Sequence, residues 1–600
     1  MYSTLTEVFL ERTSGALKDR AYIQYKPIRG AAYHSITFGD FGERTRLFAR
    51  GLRSLGLIRG DRIAIISESR PEWVMMDCAS LALGLISAPM FPNLTAKQVE
   101  FVVNDCEARV LVVSNDFQLS KALKIAENCP TLTRIVRCVD ETNLDVAHCP
   151  VPVISVSELL RAEAVLDFDL EARKAKPEDV ITIIYTSGTT GTPKGVMLTH
   201  SNLLSNIEGA IAALPEISEK DVALSFLPLC HSFERVASYL FLYKGFTVAF
   251  AESVDTVADN LLEIRPTVMT GVPRFYERIH GRIMRLRERM PASKRAIFDW
   301  GLRIGAQCSG EWEGKSVPLH ARLMKPIADR LVLDKIRERT GGRIRIFVSG
   351  GAALSEEVGR AFAAFGLLII EGYGMTESSP IISVSPYNKL RWGSVGKPLP
   401  NVEVKIASDG EILTRGPHVM KGYYNRPEDT AEMIDTDDWL HTGDIGEFDL
   451  EGYLKITDRK KHLFVSSGGK NIAPAHIESL ISQSRFVDQV LLLGDKRQYV
   501  SALIVPDFDV IREEFKKSGV TNSHTNEEIA VHDEVRRIIE RDIEQYQREV
   551  SSYERVRRFA LLPEPFSIEN GLMTPTLKIK RKEVENRYAD LIQSLYPDEK

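Results

Sequence analysis

A loop rich in hydroxyl groups and glycine follows a short apolar run near residue 185. Residues 180–184 have the composition of a buried strand, and residues 185–195 follow them as Tyr-Thr-Ser-Gly-Thr-Thr-Gly-Thr-Pro-Lys-Gly. The glycines leave the backbone free to adopt positive φ angles. Backbone N–H groups, hydroxyl groups and the ammonium of Lys194 together suit the binding of phosphate oxygens. The pattern therefore predicts a phosphate-binding loop at the end of a strand.

The loop does not have the Walker A spacing, in which a glycine and four residues precede Gly-Lys-Ser/Thr. Counted from Gly188, the second glycine position holds Pro193, and Gly195 follows Lys194. A fold other than that of the Walker A nucleotide-binding proteins is therefore predicted. A Ser/Thr/Gly-rich surface loop is the alternative interpretation. The order of the residues after a strand pattern favours phosphate binding.

The length of 600 residues exceeds what one hydrophobic core supports, so at least two domains are expected. The formal net charge of −5 argues against nucleic acid as the main partner. Seven cysteines without a C-x-x-C pair indicate free thiols in a reducing compartment. The N-terminus has no signal pattern, so we expect a cytoplasmic protein. Peripheral association with the inner membrane surface stays open because residues 238–250 are rich in apolar and aromatic side chains, although a buried helix and strand is favoured there.

Apolar periodicity divides the chain into regions of different character. Residues 1–275 alternate helical patterns with short apolar runs, which predicts layered α/β structure with parallel sheets. Residues 276–339 repeat basic and apolar side chains at helical spacing, which predicts a helical insertion. Residues 399–457 combine short alternating runs with turn dipeptides, which predicts a small antiparallel β subdomain. A charged junction at 457–461 then precedes a compact α+β tail.

Further motifs lie along the chain in a defined order. They are Leu-Pro-Leu-Cys-His-Ser-Phe-Glu at 227–234, Glu-Gly-Tyr-Gly-Met-Thr-Glu at 371–377, Trp-Leu-His-Thr-Gly-Asp at 439–444, Asp-Arg-Lys-Lys at 458–461 and Thr-Pro-Thr-Leu-Lys-Ile-Lys-Arg at 574–581. With the loop at 185–195, they resemble the motifs of the adenylate-forming superfamily of acyl-CoA synthetases, nonribosomal-peptide adenylation domains and luciferases. The resemblance covers about residues 20–585. The helical insertion and the Thr-Pro-Thr-Leu-Lys ending make the chain most similar to long-chain fatty acyl-CoA synthetases.

The resemblance implies a domain organisation. It predicts a large N-terminal domain at 1–457, a hinge at 458–461 and a small mobile α+β C-terminal domain at 462–600. The N-terminal domain is expected to combine layered α/β sheets with the helical insertion and the β subdomain. Lys461 is the implied hinge residue, about which the C-terminal domain turns between two half-reactions.

The resemblance also implies an ATP site that uses Mg²⁺. The loop is expected to bind the β- and γ-phosphates, Tyr373 to stack on adenine and Asp444 to accept hydrogen bonds from the ribose hydroxyls. Thr186 and Glu377 are the implied magnesium ligands. The residues implied in nucleotide binding are Thr186, Ser187, Gly188, Thr189, Thr190, Lys194, Gly351, Ala352, Glu371, Gly372, Tyr373, Gly374, Thr376, Asp444 and Arg459.

Lys578 is the implied catalytic lysine, whose ammonium bridges the carboxylate substrate and the α-phosphate. Glu377 and Thr376 are placed in the same catalytic group. Lys580 competes for the role of Lys578, and a solvated basic cluster is the alternative interpretation of both lysines. The residues implied to form the channel for CoA are Ser467, Gly468 and Gly469.

His231 and Phe233 are implied to line the acyl pocket. A general base for the CoA thiol is a weaker interpretation of His231, and a structural histidine that caps a loop is an equal alternative. The segment after this histidine reads Ser-Phe-Glu-Arg-Val, without the tryptophan that some members of the family place there as a gate to the tunnel.

The expected reaction converts a long-chain fatty acid, ATP and CoA into acyl-CoA, AMP and pyrophosphate, without a covalent enzyme intermediate. The alternatives are a fatty acyl-AMP ligase that delivers to a carrier protein, and an acyl-CoA ligase for another carboxylic acid. A catalytically silent acyl-nucleotide-binding protein or a membrane-surface scaffold is a further alternative. The acyl chain length and the oligomeric state, including a homodimer, stay open.

Overall fold

The computed structural model describes residues 2–186, 192–460, 464–465, 471–472, 474–495, 497–517, 524–548, 550–552, 554–574 and 578–597. Within these ranges the helices, in chain order, are α1 (Leu5–Ser14), α2 (Phe38–Ser54), α3 (Pro71–Leu83), α4 (Ala96–Asp105), α5 (Asp116–Ile125), α6 (Val156–Leu160), α7 (Phe168–Ala172), α8 (His200–Ala213), α9 (Ser232–Lys244), α10 (Val257–Ile264), α11 (Pro273–Glu288), α12 (Ala292–Ser309), α13 (Leu319–Ala328), α14 (Asp334–Glu338), α15 (Glu356–Phe365), α16 (Pro427–Met433), α17 (Pro474–Ile481), α18 (Phe508–Lys517), α19 (Asn526–Ala530), α20 (Asp533–Tyr546), α21 (Arg581–Arg587) and α22 (Ala589–Ser594).

The strands of the same ranges alternate with these helices over the first half of the chain. In chain order they are β1 (Ala21–Tyr25), β2 (His34–Thr37), β3 (Arg62–Ile66), β4 (Ile86–Met90), β5 (Val110–Val113), β6 (Arg134–Arg137), β7 (Val153–Ser155), β8 (Val180–Thr186), β9 (Lys194–Thr199), β10 (Val222–Ser225), β11 (Thr247–Phe250), β12 (Val268–Gly271), β13 (Ile346–Ser349), β14 (Leu368–Tyr373), β15 (Ser383–Val384), β16 (Lys397–Pro398), β17 (Glu403–Ile406), β18 (Glu411–Arg415), β19 (Gly422–Tyr423), β20 (Leu440–Phe448), β21 (Leu454–Arg459), β22 (Phe464–Val465), β23 (Asn471–Ile472), β24 (Val487–Leu493), β25 (Val500–Pro506) and β26 (Val556–Leu561).

The chain divides into two compact units. The larger unit comprises residues 1–405, 413–442 and 448–455, and the smaller unit comprises residues 406–412, 443–447 and 456–600. A further sheet has four strands in the order β17-β18-β20-β21.

Two large sheets make up the framework of the larger unit. One has nine strands in the order β16-β15-β14-β13-β12-β10-β11-β1-β2, and the other has eight in the order β19-β9-β8-β4-β3-β5-β6-β7. In the first sheet β12, β13 and β14 run parallel, and in the second β3, β4, β5 and β6 run parallel. Parallel strands of this kind are buried on both faces, which agrees with their continuous runs of Val, Ile and Leu.

A group of helices, α11 to α14, is inserted between β12 and β13. Helix α12 packs against the segment that follows α13, and its glycines allow the close approach. A Cβ atom on Gly301 would lie 2.8 Å from the side chain of Val332, and one on Gly305 would meet the carbonyl of Ala364. A turn of π-helix at Asp329–Leu333 joins α13 to α14.

The smaller unit has a core of its own. Its three-stranded sheet has the order β24-β25-β26, and every residue of β25 is buried. Helix α20 packs Val535, Ile539 and Ile543 into this core, at the i, i+4 and i+8 spacing that places them on one face.

The predicted layered α/β fold with a smaller C-terminal α+β domain is confirmed. Residues 238–250, which raised the question of a membrane contact, form the end of α9 and all of β11, and Tyr239, Phe241, Phe246 and Phe250 are buried there. All seven cysteine thiols are free. Among the described residues no helix is both long and apolar enough to cross a membrane.

Candidate active site

The phosphate-binding loop predicted from the sequence connects two neighbouring antiparallel strands. Thr186 is the last residue of β8, Lys194 is the first residue of β9, and the two are paired across the ladder. The Thr186 hydroxyl lies 3.5 Å from the Lys194 carbonyl oxygen. Gly195 is required by packing, because a Cβ atom there would lie 2.6 Å from the Ile183 side chain. Ser187, Gly188, Thr189 and Thr190, which are also predicted to bind phosphate, lie outside the described residues.

The ammonium of Lys194 is held at the base of this loop. It forms a salt bridge with Asp429 of α16 and lies 5.2 Å from the centre of the Tyr423 ring. Neither partner was identified from the sequence, because β19 reaches β9 by a long-range pairing, with Tyr423 opposite Val196. The cation is therefore ordered beside the loop by a carboxylate and an aromatic ring.

Tyr423 also connects the loop to Glu377. Its hydroxyl donates to Glu377 Oε1 at 2.8 Å, and Glu377 is only 7% exposed. Burial, together with the neighbouring Glu377, raises the pKa of the Tyr423 hydroxyl, so it stays a proton donor. Residues predicted from two distant motifs, Lys194 and Glu377, thus lie on either side of one tyrosine.

The donor set around Glu377 fits a magnesium ion that arrives with a nucleotide. Among the described residues no group of three or more His, Cys, Asp or Glu side chains forms a metal cluster. Mg²⁺ at nucleotide sites is characteristically held by one or two carboxylates together with phosphate oxygens and water. Glu377 supplies one nearly buried carboxylate and Thr186 supplies a hydroxyl at the end of β8, and both are donor types that such an ion accepts.

The predicted adenine-binding residues lie where two parallel strands end. Strand β13 ends at Ser349, which is paired with Glu371 of β14. Gly351 and Ala352 follow the first strand, while Gly372 and Tyr373 end the second. The carboxyl ends of parallel strands are a common ligand-binding position in α/β sheets.

Backbone and burial constrain this edge further. Gly374 can only be glycine, because a Cβ atom there would lie 1.7 Å from the Pro380 carbonyl oxygen. Burial raises the pKa of the Glu371 carboxyl to about 7, although the Leu354 N–H donates to it at 3.4 Å. Gly351 has a φ of +82° and open space around the Cβ position, so its requirement for glycine comes from the backbone angle.

The motif that contains His231 lies beside this edge. The Ser232 hydroxyl is 3.2 Å from the Thr376 hydroxyl, and the Phe233 ring would lie 3.3 Å from a Cβ atom on Gly350. His231 is the N-cap of α9, since its Nδ1 accepts the Phe233 N–H at 3.2 Å. The imidazole therefore caps the start of this helix, and its role in an acyl pocket stays a prediction.

Glu234 is a buried carboxylate beside the site for which the sequence predicted no role. Its fully buried carboxylate accepts hydrogen bonds from Ser225 at the end of β10 at 2.5 Å and from Thr270 of β12 at 2.7 Å. Burial raises the pKa of this carboxyl to about 7. Glu234 therefore ties the first turn of α9 to two strands of the nine-stranded sheet. The local signal was weak, because both partners lie on other elements.

The ribose-binding candidates belong to the smaller unit and are paired with each other. Arg459 Nε donates to Asp444 Oδ1 at 2.8 Å, with Asp444 nearly buried and Arg459 about half exposed. Next to them, Lys460 donates to Glu411 at 2.9 Å, and Glu411 also accepts the Gly443 N–H at 2.9 Å. The structure thus brings Asp444 and Arg459 together, and their shared role in nucleotide binding stays a prediction.

Asp458, which precedes this arginine, is a further residue without a predicted role. Its Oδ1 accepts the Arg459 N–H, and its buried Oδ2 has no hydrogen-bond partner within the described part of the chain. Burial raises the pKa of this carboxyl to about 6.

Lys578 is hydrogen-bonded through its backbone to Thr574 near the C-terminus. The Lys578 N–H donates to the Thr574 hydroxyl at 3.0 Å, the Thr574 N–H donates to the Lys578 carbonyl at 2.8 Å, and the side chain is exposed. Lys580, the competing lysine, is the N-cap of α21. Lys461 and the predicted CoA-channel residues Ser467, Gly468 and Gly469 lie outside the described residues.

Comparison with known proteins gives matches along almost the whole chain. Residues 10–424 match the AMP-binding enzyme family, and residues 461–600 match the AMP-binding enzyme C-terminal domain. Long-chain-fatty-acid–CoA ligase FadD15 from Mycobacterium tuberculosis is 34% identical over 591 residues, which cover 97% of this chain and 95% of the relative. Long-chain-fatty-acid–CoA ligase 1 from Homo sapiens is 33% identical, over 89% of this chain and 78% of the relative.

Solved structures share the fold at lower sequence identity. The anthranilate CoA ligase AuaEII in complex with anthranoyl-AMP superposes with a TM-score of 0.74 at 21% identity, over 99% of this chain and 98% of that one. The A domain of carboxylic acid reductase from Segniliparus rugosus, in complex with AMP and a co-purified carboxylic acid, has a TM-score of 0.75 at 23% identity, over 99% and 94% of the two chains.

Proposed function

The chain belongs to the AMP-binding enzyme family, and from this premise we propose that it is a long-chain-fatty-acid–CoA ligase. The observation that carries the proposal is the match of nearly the full chain to relatives that bear this name. Since both parts of those relatives are matched, from the first helix to the C-terminal domain, the complete two-step reaction is assigned to this chain. The seven free thiols support a cytoplasmic location.

In the first step a fatty carboxylate oxygen attacks the α-phosphorus of ATP. A bond forms between that oxygen and phosphorus, the bond to the β-phosphate oxygen breaks, and pyrophosphate leaves with the electron pair. The barrier is high because an anion attacks a polyanion, so the protein must supply positive charge and alignment. Lys194 is suited to neutralise the β- and γ-phosphates, and exchanges Asp429 for a phosphate when ATP binds.

Glu377 is proposed to hold Mg²⁺ together with Thr186. The Tyr423 hydroxyl fixes the position of the Glu377 carboxylate, and burial keeps competing water away from it. When bound, the ion would neutralise phosphate charge in the transition state. Thr376, one residue away, has its hydroxyl beside that of Ser232, which places it near the start of α9.

In the second step the CoA thiolate attacks the carbonyl carbon of the acyl-AMP. A carbon–sulfur bond forms, the carbon–oxygen bond of the mixed anhydride breaks, and AMP leaves. The two steps have different transition states, which need different arrangements of catalytic groups. The C-terminal domain at 462–600 therefore turns about the hinge at 458–461 between the steps. Lys578 is assigned to the first step, and Ser467, Gly468 and Gly469 to the CoA channel of the second.

The two half-reactions can be measured separately. In Lys578→Ala, exchange of labelled pyrophosphate into ATP should fall by about 100-fold or more, because a charge that develops in the first transition state loses its partner. Conversion of supplied acyl-AMP and CoA to acyl-CoA should continue. Lys580→Ala is the matched control and should keep the exchange. Retention of exchange in Lys578→Ala would contradict the assigned role.

The identity of the substrate acid and of the acyl acceptor is tested with a panel of carboxylic acids from short to very long, in the presence of ATP and CoA. The proposal expects the greatest AMP release with acids such as dodecanoate or hexadecanoate, and the acyl-CoA in the products. Acyl-AMP that accumulates without a thioester would instead indicate a ligase that delivers to a carrier protein. Absence of AMP release with every acid would contradict enzymatic activation altogether.

A further inference from the structure

The helical insertion of the larger unit carries a stripe of exposed apolar side chains. Leu319 and Leu323 of α13 are 72% and 63% exposed, and Ile327 and Leu331 are 47% and 45% exposed. These residues recur every fourth position, so they lie along one side of the continuous helical segment. We define Leu319, Leu323, Ile327 and Leu331 as the apolar stripe.

The opposite side of the same segment is fully packed. Ala321, Ala328 and Leu333 have no exposed surface, and Val332 is inserted against Gly301 of α12. The segment is therefore anchored to the larger unit by its inner face. The apolar stripe therefore forms the outer surface of the segment. Its four aliphatic side chains do not take part in the packing of the segment against the larger unit.

The charge of the insertion differs from that of the rest of the chain. Residues 273–339 contain 16 Lys and Arg and eight Asp and Glu, a net charge of +8, whereas the whole chain carries −5. Arg322 and Arg330 lie exposed beside the apolar stripe, and neither enters a salt bridge within the described part of the chain. A cationic surface with an aliphatic centre is the pattern of helices that lie in the interface of an anionic membrane.

We propose that the apolar stripe and its flanking arginines dock this protein on an anionic lipid surface. The aliphatic side chains enter the boundary between headgroups and acyl chains, and the arginines bind lipid phosphates. A second copy of the chain is a poorer occupant, because two surfaces with an excess of positive charge would face each other. Nucleic acid would leave the aliphatic side chains uncovered. The docking surface is distinct from residues 238–250, which are buried.

The proposal is tested by flotation of the full-length protein with vesicles of phosphatidylcholine, alone or mixed in equal parts with phosphatidylglycerol. The assay contains no ATP, CoA or fatty acid, so its result is independent of the proposed reaction. The wild-type protein should float with the phosphatidylglycerol vesicles, and the bound fraction should fall as NaCl is raised. Absence of binding to either vesicle would overturn the proposal.

Variants locate the surface. The double variant Leu323→Gln, Ile327→Gln should bind the vesicles more weakly by about ten-fold at least, because its apolar area no longer enters the bilayer. The double variant Arg322→Gln, Arg330→Gln should also bind about ten-fold more weakly, because two contacts to lipid phosphates are lost. The control Leu450→Gln makes the same chemical change at a fully exposed leucine outside the apolar stripe and should bind as the wild type does.

Two results would contradict the docking surface. One is equal binding of the Leu323/Ile327 double variant and the Leu450→Gln control, with thermal unfolding showing that both are folded. The other is a wild-type dimer in gel filtration that the double variant converts to a monomer while no vesicle is bound. That second result would assign the stripe to a copy of the same chain.

Discussion

The two units hold their candidate nucleotide-binding carboxylates in different ways. In the larger unit Glu377 accepts a hydrogen bond from the neutral Tyr423 hydroxyl, and the nearby cation, Lys194, is paired with Asp429. In the smaller unit Asp444 is paired directly with Arg459. The Tyr423 hydroxyl brings no positive charge to Glu377, which suits the proposed metal ligand, whereas Arg459 brings one to Asp444, which suits the proposed acceptor of ribose hydrogen bonds.

The largest effect is expected where the proposed metal ligand, Glu377, loses its charge. Glu377→Gln should lower the rate of acyl-AMP formation by about 100-fold or more, because the transition state loses a ligand of the ion that neutralises phosphate charge. The rate should be measured as pyrophosphate exchange over a range of Mg²⁺ concentrations.

Tyr423→Phe is the matched control for that variant, since it keeps the carboxylate and removes only its neutral donor. A loss of about five-fold is expected, the value of one hydrogen bond of about 1 kcal/mol. If Glu377→Gln and Tyr423→Phe lost the same activity, Glu377 would have a structural role and the comparison of the two carboxylates would fail.

Asp444→Asn should have the next largest effect. Loss of the charge leaves Arg459 without its partner and weakens hydrogen bonds to the ribose, so KM for ATP should rise by about ten-fold to 100-fold. The change in kcat should be smaller, because the contact is made in the ground state and in the transition state alike. ATP kinetics at saturating fatty acid and CoA give both constants. A fall in kcat at constant KM would contradict a binding role.

Glu234 extends the comparison to a buried carboxylate that accepts hydrogen bonds from two hydroxyl groups. Its folded-state pKa is raised to about 7, so the native state binds a proton that the unfolded state releases near the ordinary value. Stability from this group is present at low pH and is lost as pH rises from about 4.5 to about 7.

The variant Glu234→Gln removes that titration and keeps the size of the side chain. Across this pH range the free energy of unfolding of the wild type should fall by about 2 to 3 kcal/mol relative to the variant. Urea denaturation of both proteins at several pH values measures the difference. A difference that stays constant with pH would show that Glu234 binds protons equally in the folded and unfolded states, and would contradict the raised pKa.

The smallest effect is expected at the salt bridge between Asp429 and Lys194. Asp429→Asn removes the carboxylate that competes with phosphate for Lys194, so KM for ATP should fall by about two-fold to five-fold, as expected for a partly exposed ion pair. Lys194→Met should change KM in the opposite direction. If both variants raised KM, Asp429 would serve to position Lys194 and would not compete with the nucleotide.

Helices and strands were predictable where an apolar pattern or a capping residue lies within their own stretch of sequence. Strand β3 agrees with the short apolar runs predicted within residues 1–275, because its run of Ile and Ala is bounded by polar residues and is buried in the eight-stranded sheet. Helix α2, one of the helical patterns of the same region, begins at Phe38, since the Thr37 side chain accepts the Asp40 N–H and caps it. That cap was visible in the sequence as a threonine three residues before an acidic residue.

The site was predictable in its motifs and not in its contacts. Lys194 and Glu377 could be named because each lies within a recognisable run of residues. Tyr423 and Asp429, which hold them, lie in segments without a motif and reach the site through the pairing of β19 with β9. Long-range pairings of this kind are set by the tertiary fold and leave no periodic pattern in the sequence.

The most direct test of the proposed reaction follows the carboxylate oxygen. Hexadecanoate labelled with ¹⁸O at both carboxyl oxygens is incubated with the protein, ATP and CoA, and the products are analysed by mass spectrometry. Attack of the carboxylate on the α-phosphorus predicts hexadecanoyl-CoA and AMP in equal amounts, with one ¹⁸O atom in the phosphate of AMP and none in pyrophosphate. Unlabelled AMP, or label in pyrophosphate or free phosphate, would contradict an acyl-adenylate route.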